Sequence, residues 1–454
     1  MTAAYQEGLH REELTPQADA PKVPTSFEDL GVPKVVLENL LLKHLSAYPK
    51  SDILHLTRSM GINSHLIEEM LSNLRKKSKV EVFQASPDGF LSQGSGGNSG
   101  GAVRYALSES GLQEADVAFA KDAYLGPAPV SLTDYDEMVK AQDVRIRVVT
   151  KDDVTHALSE VYGAERLIGV IGPAINSGRA LLLYGDAGTG KTFVATRILN
   201  SLNTSVYIPY AVYAAGNIIK VFSPQHHKKL TAPDDENSFV FKEQFDRRWA
   251  LCERPSIQVG GELTMDMLEV NHTEHNRVWI APLQMMANNG IFIIDDLGRQ
   301  PMPVDTLLNR WIVPMEYFFD HLALPNGQQV TIPFILTLAF SSNLDPESIA
   351  DPAFLRRLGY KIQFYPLKDH EYRALWEKIA GGRQLNLEES VFDTLFDLHS
   401  RHSVGFYPCL PKDMIGISRD IIAFEETPPT ITPEIVSRAW EVYFTADGKG
   451  GGAR

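Results

Sequence analysis

The chain predicts an α/β fold: a parallel sheet flanked by helices, a four-helix domain after it, and a smaller helix-and-hairpin domain before it. Three observations lead there. Between about residues 144 and 364, short Val/Ile/Leu/Phe runs alternate with helical patterns, as strands joined by crossover helices do. One run, Leu181-Leu182-Leu183-Tyr184, passes straight into Gly185-Asp186-Ala187-Gly188-Thr189-Gly190-Lys191-Thr192. Another, Ile291-Phe292-Ile293-Ile294, ends in Asp295-Asp296.

The segment from Gly185 to Thr192 fits G-x-x-x-x-G-K-T, a phosphate-binding loop (P-loop, or Walker A) lying between a buried strand and a helix over 191–202. Glycines at 185, 188 and 190 let backbone N–H groups turn inward around a phosphate without Cβ clashes. Lys191 reaches toward β- and γ-phosphates, and the Thr192 hydroxyl is placed to ligate Mg²⁺. The helix N-terminus itself favours anions. Thr150-Lys151-Asp152-Asp153 fits the T-K-x-D guanine signature but precedes the loop, where GTPases place it well after. ATP with Mg²⁺ is therefore the expected cofactor.

Size and charge bound the rest. With 454 residues the chain has room for two or three domains. A net charge of −14 argues against general nucleic-acid coating, which needs clustered Lys and Arg. Cys252 and Cys409 are too few for a disulfide framework, so a reduced, cytoplasmic setting is expected. No secretory leader is legible in residues 1–24, and no apolar run is long enough for membrane insertion.

Along the chain, residues 1–26 read as a disordered lead. Residues 27–124 carry three helical patterns, with Ser51 or Asp52 and then Asn63 or Ser64 as caps. Two strand-like runs follow, at 80–83 and 103–107, separated by a glycine-rich tip over 93–101. That is the order of a winged helix domain. Residues 125–143, opening with Leu125-Gly126-Pro127-Ala128-Pro129-Val130, read as a stiff linker. The α/β domain takes 144–366 and a helical domain 367–446, with Pro411 and Pro433 as helix starts. Residues 447–454 read as a flexible tail.

The acidic pair gives the P-loop its chemistry. A buried parallel strand delivers Asp295 and Asp296 to the sheet edge beside the phosphates, a Walker B arrangement. Asp295 would hold Mg²⁺, and Asp296 would orient the attacking water and accept its proton. A further apolar run ends at Ser341-Ser342-Asn343, where the amide could meet the γ-phosphate or the water, or simply make a turn. Arg356 and Arg357 follow a short helix. They could reach a neighbouring subunit's nucleotide or sit in solvent as an ordinary helix end.

In this order the features resemble the AAA+ ATPase superfamily across roughly residues 144–446. The resemblance implies a P-loop NTPase core with a C-terminal four-helix lid, ATP hydrolysis, and a ring, hexameric in most members. It makes Asn343 a sensor and Arg357 the arginine finger, with Arg356 as alternate. It also places Lys412, in Pro408-Cys409-Leu410-Pro411-Lys412-Asp413, where a second sensor arginine usually stands. Asp296 departs from the family's usual Glu and is shorter by one methylene, roughly 1.5 Å of reach, so either turnover is slow, the backbone approaches more closely, or Asp296 does not serve as the base. The stretch from Gly260-Gly261-Glu262 to Asn289-Gly290, running into the acidic strand, is similar to the MoxR-like, helix-2-insert branch. There, 268–278 would be a hairpin tip facing a ring pore, with 214–220 and 226–229 as further pore or neighbour segments. His272 and His275 are spaced H-x-x-H but lack further metal ligands nearby.

The N-terminal domain implies a partner. Residues 27–83 hold eight Lys/Arg and seven Asp/Glu, 8 − 7 = +1. Arg75, Lys76, Lys77 and Lys79 gather at the end of the third helix, but Glu68 and Glu69 would face a duplex unfavourably. A protein partner is expected ahead of DNA. The function expected is an ATP-driven remodelling or chaperone-like ATPase; the alternative is a DNA-binding regulator using ATP as a switch.

Overall fold

A computed structural model describes residues 14–84, 103–230, 245–272 and 277–444. At its centre lie five parallel strands: β1 (Leu181–Tyr184), β2 (Ser256–Val259), β3 (Ile291–Ile294), β4 (Thr337–Ser342) and β5 (Tyr360–Gln363). Their spatial order is β2-β3-β4-β1-β5. Apolar residues on both faces explain the unbroken runs in β1 and β3, since helices cover each side. Leu181, Leu183, Ile291 and Ile293 pack against Ile171, Ile175, Val194 and Ile198 on one face. Leu182, Phe292 and Phe340 pack with Leu307 and Trp311 on the other. The Phe292 and Trp311 rings meet edge-on at 5.7 Å, an arrangement worth about 1 kcal/mol beyond area burial.

Because all five strands run the same way, their carboxyl ends share one edge. β4 lies between β1 and β3, so Asn343 at its end stands between the P-loop and the two aspartates.

The chain between the P-loop helix and β3 builds more than crossover connections. Thr204–Pro209 leaves the central sheet and pairs antiparallel with Trp249–Glu253. A mixed sheet of Val130–Ser131, Ala211–Ala214, Asn217–Lys220, Trp279–Ile280 and Asn271–His272 forms beside it.

The N-terminal unit packs helices Lys34–Ala47, Ile53–Met60 and Ser64–Lys76 against a three-stranded antiparallel sheet. Ser51–Asp52 and Val80–Gln84 both pair with Val103–Leu107. Asp52 caps the second helix, its carboxylate accepting from the His55 N–H at 2.7 Å. Asn63 precedes the third helix without capping it, because its amide donates instead to the Pro24 carbonyl at 2.8 Å. The glycine-rich tip lies outside the described residues.

Two expected boundaries change. Residues 14–26, read as part of a disordered lead, are packed: Thr15–Pro16 runs parallel to Thr204–Ser205, and Pro21 accepts from the Asp246 N–H. Residues 125–143 are not a free linker. Ala128 and Val130 are fully buried, Val130–Ser131 joins the mixed sheet, and Leu132–Ala141 is a helix with Tyr135 and Val139 inward. Proline stiffness suits a linker and a buried strand entry equally, so composition alone misleads here.

The N-terminal unit docks through an apolar seam, its core running on into Ala211 and Ile218. A buried ion pair, Arg248 with Asp246, sits at the junction, and Arg248 also donates to the Leu30 and Pro129 carbonyls. Of segment 214–220, expected at a pore or a neighbour, Ile218 packs into the N-terminal core, while Ala215, Gly216 and Lys220 are exposed. Beyond β5, helices Asp369–Gly382, Ser390–His402, Cys409–Phe424 and Pro433–Tyr443 close around Tyr372, Trp376, Leu395, Met414 and Trp440. Pro433 opens the last helix behind the Thr432 cap, whereas Pro411 lies inside the first turn of the helix begun at Cys409.

Candidate nucleotide-binding site

The site grows from the turn after β1. Gly185 and Gly188 have φ of 131° and 80°, backbone that favours glycine. A Cβ at Gly185 would strike the Phe364 carbonyl, and one at Gly188 would strike the Cys409 thiol. Gly190, at φ 90°, turns the chain into helix Lys191–Arg197. Asp186 and Ala187 are exposed at the loop's crown, and the Thr189 hydroxyl donates to the Asp186 carbonyl at 2.8 Å.

Lys191 is only 7% exposed. Its ammonium donates to the Gly185 carbonyl (2.7 Å), the Asp186 carbonyl (2.9 Å) and Asn343 Oδ1 (2.8 Å). Burial lowers its pKa, opposed by Asp295, Asp296 and Asp186. All three direct acceptors of the Lys191 ammonium, two carbonyls and an amide, are neutral groups.

The acidic turn faces it. Thr192 Oγ1 donates to Asp295 Oδ2 at 2.8 Å, and the Gln258 amide donates to the same oxygen at 3.1 Å. Asn343 Nδ2 donates to Asp296 Oδ1 at 3.2 Å, while the Arg299 guanidinium stands 3.7 Å from Asp296 Oδ2. Asp296 adopts φ 48°, left-handed backbone uncommon outside glycine. Gln300 ties the turn to the loop after β2, donating to Asp295 O (3.0 Å), Asp296 O (3.4 Å) and Gly260 O (3.2 Å).

The C-terminal domain touches the loop directly. The Cys409 N–H donates to the Gly188 carbonyl at 3.3 Å, and Tyr407 Oη donates to Asp186 Oδ2 at 3.1 Å. Lys412 lies exposed in the first turn of the helix begun by Cys409. The structure thus gathers Lys191, Thr192, Asp295, Asp296 and Asn343 into one hydrogen-bonded group. Arg356 and Arg357 are not in it. Both are exposed after helix Pro352–Leu355. Arg357 donates to the Ala353 carbonyl at 2.9 Å and lies 3.8 Å from Glu316.

His272 pairs through Asn271–His272 with Trp279–Ile280, so a hairpin does precede the acidic strand. It forms the edge of the mixed sheet, and the Arg277 carbonyl accepts from the Ala123 N–H of the N-terminal unit. Its tip, with His275, lies outside the described residues. His227 is a core residue rather than a surface one, with Nε2 on the Met286 carbonyl at 2.9 Å and Nδ1 on the Ser223 N–H at 3.0 Å. Among the described residues no three or more His, Cys, Asp or Glu side chains come together as a metal-binding group, and none of their helices is long and apolar enough to cross a membrane. Gln258, Gln300 and Tyr407 escape sequence reading because their partners lie 37, 40 and 221 residues away. Only Gln258, a polar residue between the apolar Ile257 and Val259, leaves a trace.

A family model described as a domain of unknown function (DUF8689) matches residues 368–442, within the C-terminal helical domain. No curated protein matches the sequence. Among solved structures, the chain is similar to the RuvB Holliday junction branch migration motor of Thermotoga maritima at 16% identity. That match covers 66% of this chain and 72% of RuvB with a TM-score of 0.34. It is also similar to NtrX of Brucella abortus at 12% identity, covering 61% of this chain and 53% of NtrX with a TM-score of 0.40. At such values the reading of the site rests on its own residues.

Proposed function

We propose that this chain is an AAA+ ATPase that binds Mg·ATP in the loop Gly185–Thr192 and hydrolyses it. One observation carries the reading. The Asn343 side chain bridges Lys191 and Asp296, at 2.8 and 3.2 Å, linking the phosphate-binding cation to the acidic turn. A γ-phosphate held by Lys191 would then lie beside a water oriented by Asn343 and Asp296. Thr192 and Asp295 would hold Mg²⁺: their oxygens already stand 2.8 Å apart, and hydroxyl plus carboxylate is a donor set Mg²⁺ accepts. The ion would neutralise charge developing between the β- and γ-phosphates.

Arg357, exposed and steadied by Glu316 and its own helix, is in this reading the finger that completes a neighbour's site, with Arg356 as alternate. This makes the active form a ring, hexameric by the family resemblance. The Cys409–Gly188 and Tyr407–Asp186 contacts support a lid whose angle follows nucleotide state, with Lys412 as its second sensor. The hairpin before the acidic strand supports the helix-2-insert branch. The N-terminal unit reads as a winged helix domain that recruits a protein to be remodelled.

The DNA-regulator reading draws less support. Lys77 pairs with Glu38 at 2.9 Å, and Lys79 pairs with Glu114. Titrating full-length protein with duplex DNA at two salt concentrations separates the readings, and a steeply salt-dependent affinity would favour DNA. Phosphate release tests hydrolysis itself. It is expected to saturate with Mg·ATP and vanish in Lys191→Ala; bound ATP that is never turned over would leave only a switch.

A further inference from the structure

The shortened acid at position 296 raises the question of where the proton of the attacking water goes. Both Asp296 oxygens are committed, one to the Asn343 amide and the other facing Arg299. A second carboxylate stands at the same sheet edge. β2 runs parallel beside β3, and the Asp295 N–H donates to the Val259 carbonyl at 2.7 Å. The next residues, Gly260-Gly261-Glu262, therefore turn over the edge alongside the two aspartates.

That turn is clamped to the acidic one. Gln300 donates both to the Gly260 carbonyl and to the Asp295 and Asp296 carbonyls. Gly261 lies so near the Arg299 carbonyl that a Cβ there would stand 3.2 Å from its oxygen. Glu262 Oε1 accepts from the Gly260 N–H at 2.9 Å, which folds the side chain back over its own turn. That bond also lowers the Glu262 pKa and keeps it ionised, while Asp295 lies close enough to oppose the effect. The side chain remains exposed.

We propose that Glu262 is a catalytic residue of this site, accepting the proton of the attacking water while Asp296 and Asn343 orient that water. This rests on the hydrolysis reading above. The water oxygen forms a bond to the γ-phosphorus, and the bond from that phosphorus to the β,γ-bridging oxygen breaks with its electron pair leaving on ADP. The water proton passes to the Glu262 carboxylate and from there to solvent. Glutamate supplies the methylene that Asp296 lacks, delivered from the neighbouring strand rather than the acidic one.

Turnover and affinity for a fluorescent ATP analogue, measured on full-length wild type, Glu262→Gln, Glu262→Asp and Asp296→Asn, test it. Glutamine retains the oxygen that accepts from Gly260, so the loop is kept. Glu262→Gln is expected to lower kcat on the order of 100-fold with affinity within about threefold. Asp296→Asn should lose less, and Glu262→Asp should recover part. The acid limb of the wild-type kcat–pH profile should disappear in Glu262→Gln. Wild-type kcat in Glu262→Gln, or parallel loss of affinity and turnover, overturns the assignment while leaving hydrolysis standing. A wild type that binds ATP without turnover overturns the hydrolysis reading, and this inference with it.

Discussion

Two places in this molecule collect charge, and they handle it differently. At the sheet edge, Lys191 and Asp295 are satisfied by neutral groups: two backbone carbonyls, an asparagine, a threonine and a glutamine. Around helix Ser64–Lys76, three of the lysines sit in ion pairs, Lys77 with Glu38, Lys34 with Glu69 and Lys79 with Glu114, while Arg75 and Lys76 stand exposed. At the sheet edge the direct partners of Lys191 and Asp295 are neutral, although Arg299 stands 3.7 Å from Asp296. Counting lysines makes the two regions look alike; their partners separate them.

Several variants would break or sharpen this contrast. The largest effect belongs to Lys191→Ala, expected to weaken ATP binding by about 100-fold or more, since charge-assisted bonds contribute roughly 1.5–3 kcal/mol each. Calorimetric titration measures it; near wild-type affinity would erase the contrast. Arg357→Ala should lower kcat on the order of 1,000-fold with ATP affinity preserved, because a finger acts on the transferring phosphoryl. A larger loss in Arg356→Ala would exchange the two arginines.

A buried ion pair forms the intermediate case. Arg248 and Asp246 are 3% and 2% exposed, and removing the arginine strands a buried carboxylate. Arg248→Met is expected to cost about 3–5 kcal/mol in urea unfolding. His227 gives a pH signature of comparable size. Burial pushes its pKa down to about 4 from 6.5, so as pH falls the unfolded chain takes up its proton first. Stability present above pH 6.5 should decline toward pH 4 by on the order of 3 kcal/mol, and His227→Gln should remove that component. The smallest effect is expected for Lys77→Ala. Its side chain is 45% exposed, so the change in stability should stay under about 1 kcal/mol, with no change in DNA affinity.

What could be read from sequence follows the range of the interactions. The places of Gly185–Thr192, Asp295–Asp296 and Asn343 at one sheet edge were legible because a buried parallel strand must be an apolar run, and its last residues must fall at one edge. The four C-terminal helices were legible from periodicity and from Thr432-Pro433. Less was visible where two-residue strands carry the architecture. Val130–Ser131 and Thr15–Pro16 have no period to detect, so a packed strand passed for a linker and another for a disordered lead. Thr204–Pro209 has strand character but gives no sign that it joins a different sheet. Gln258 reaches Asp295, and the turn carrying Glu262 lies beside the acidic one, only because β2 pairs with β3, a tertiary fact absent from local sequence.

The central claim is a site shared between protomers, with the P-loop of one completed by the arginine of the next. Mixing Lys191→Ala protein with Arg357→Ala protein and following phosphate release tests it most directly. Each variant alone is expected to be inactive, and the mixture should regain turnover where an intact loop meets an intact arginine. A mixture as inactive as its components, under conditions where the subunits co-assemble, would contradict the account.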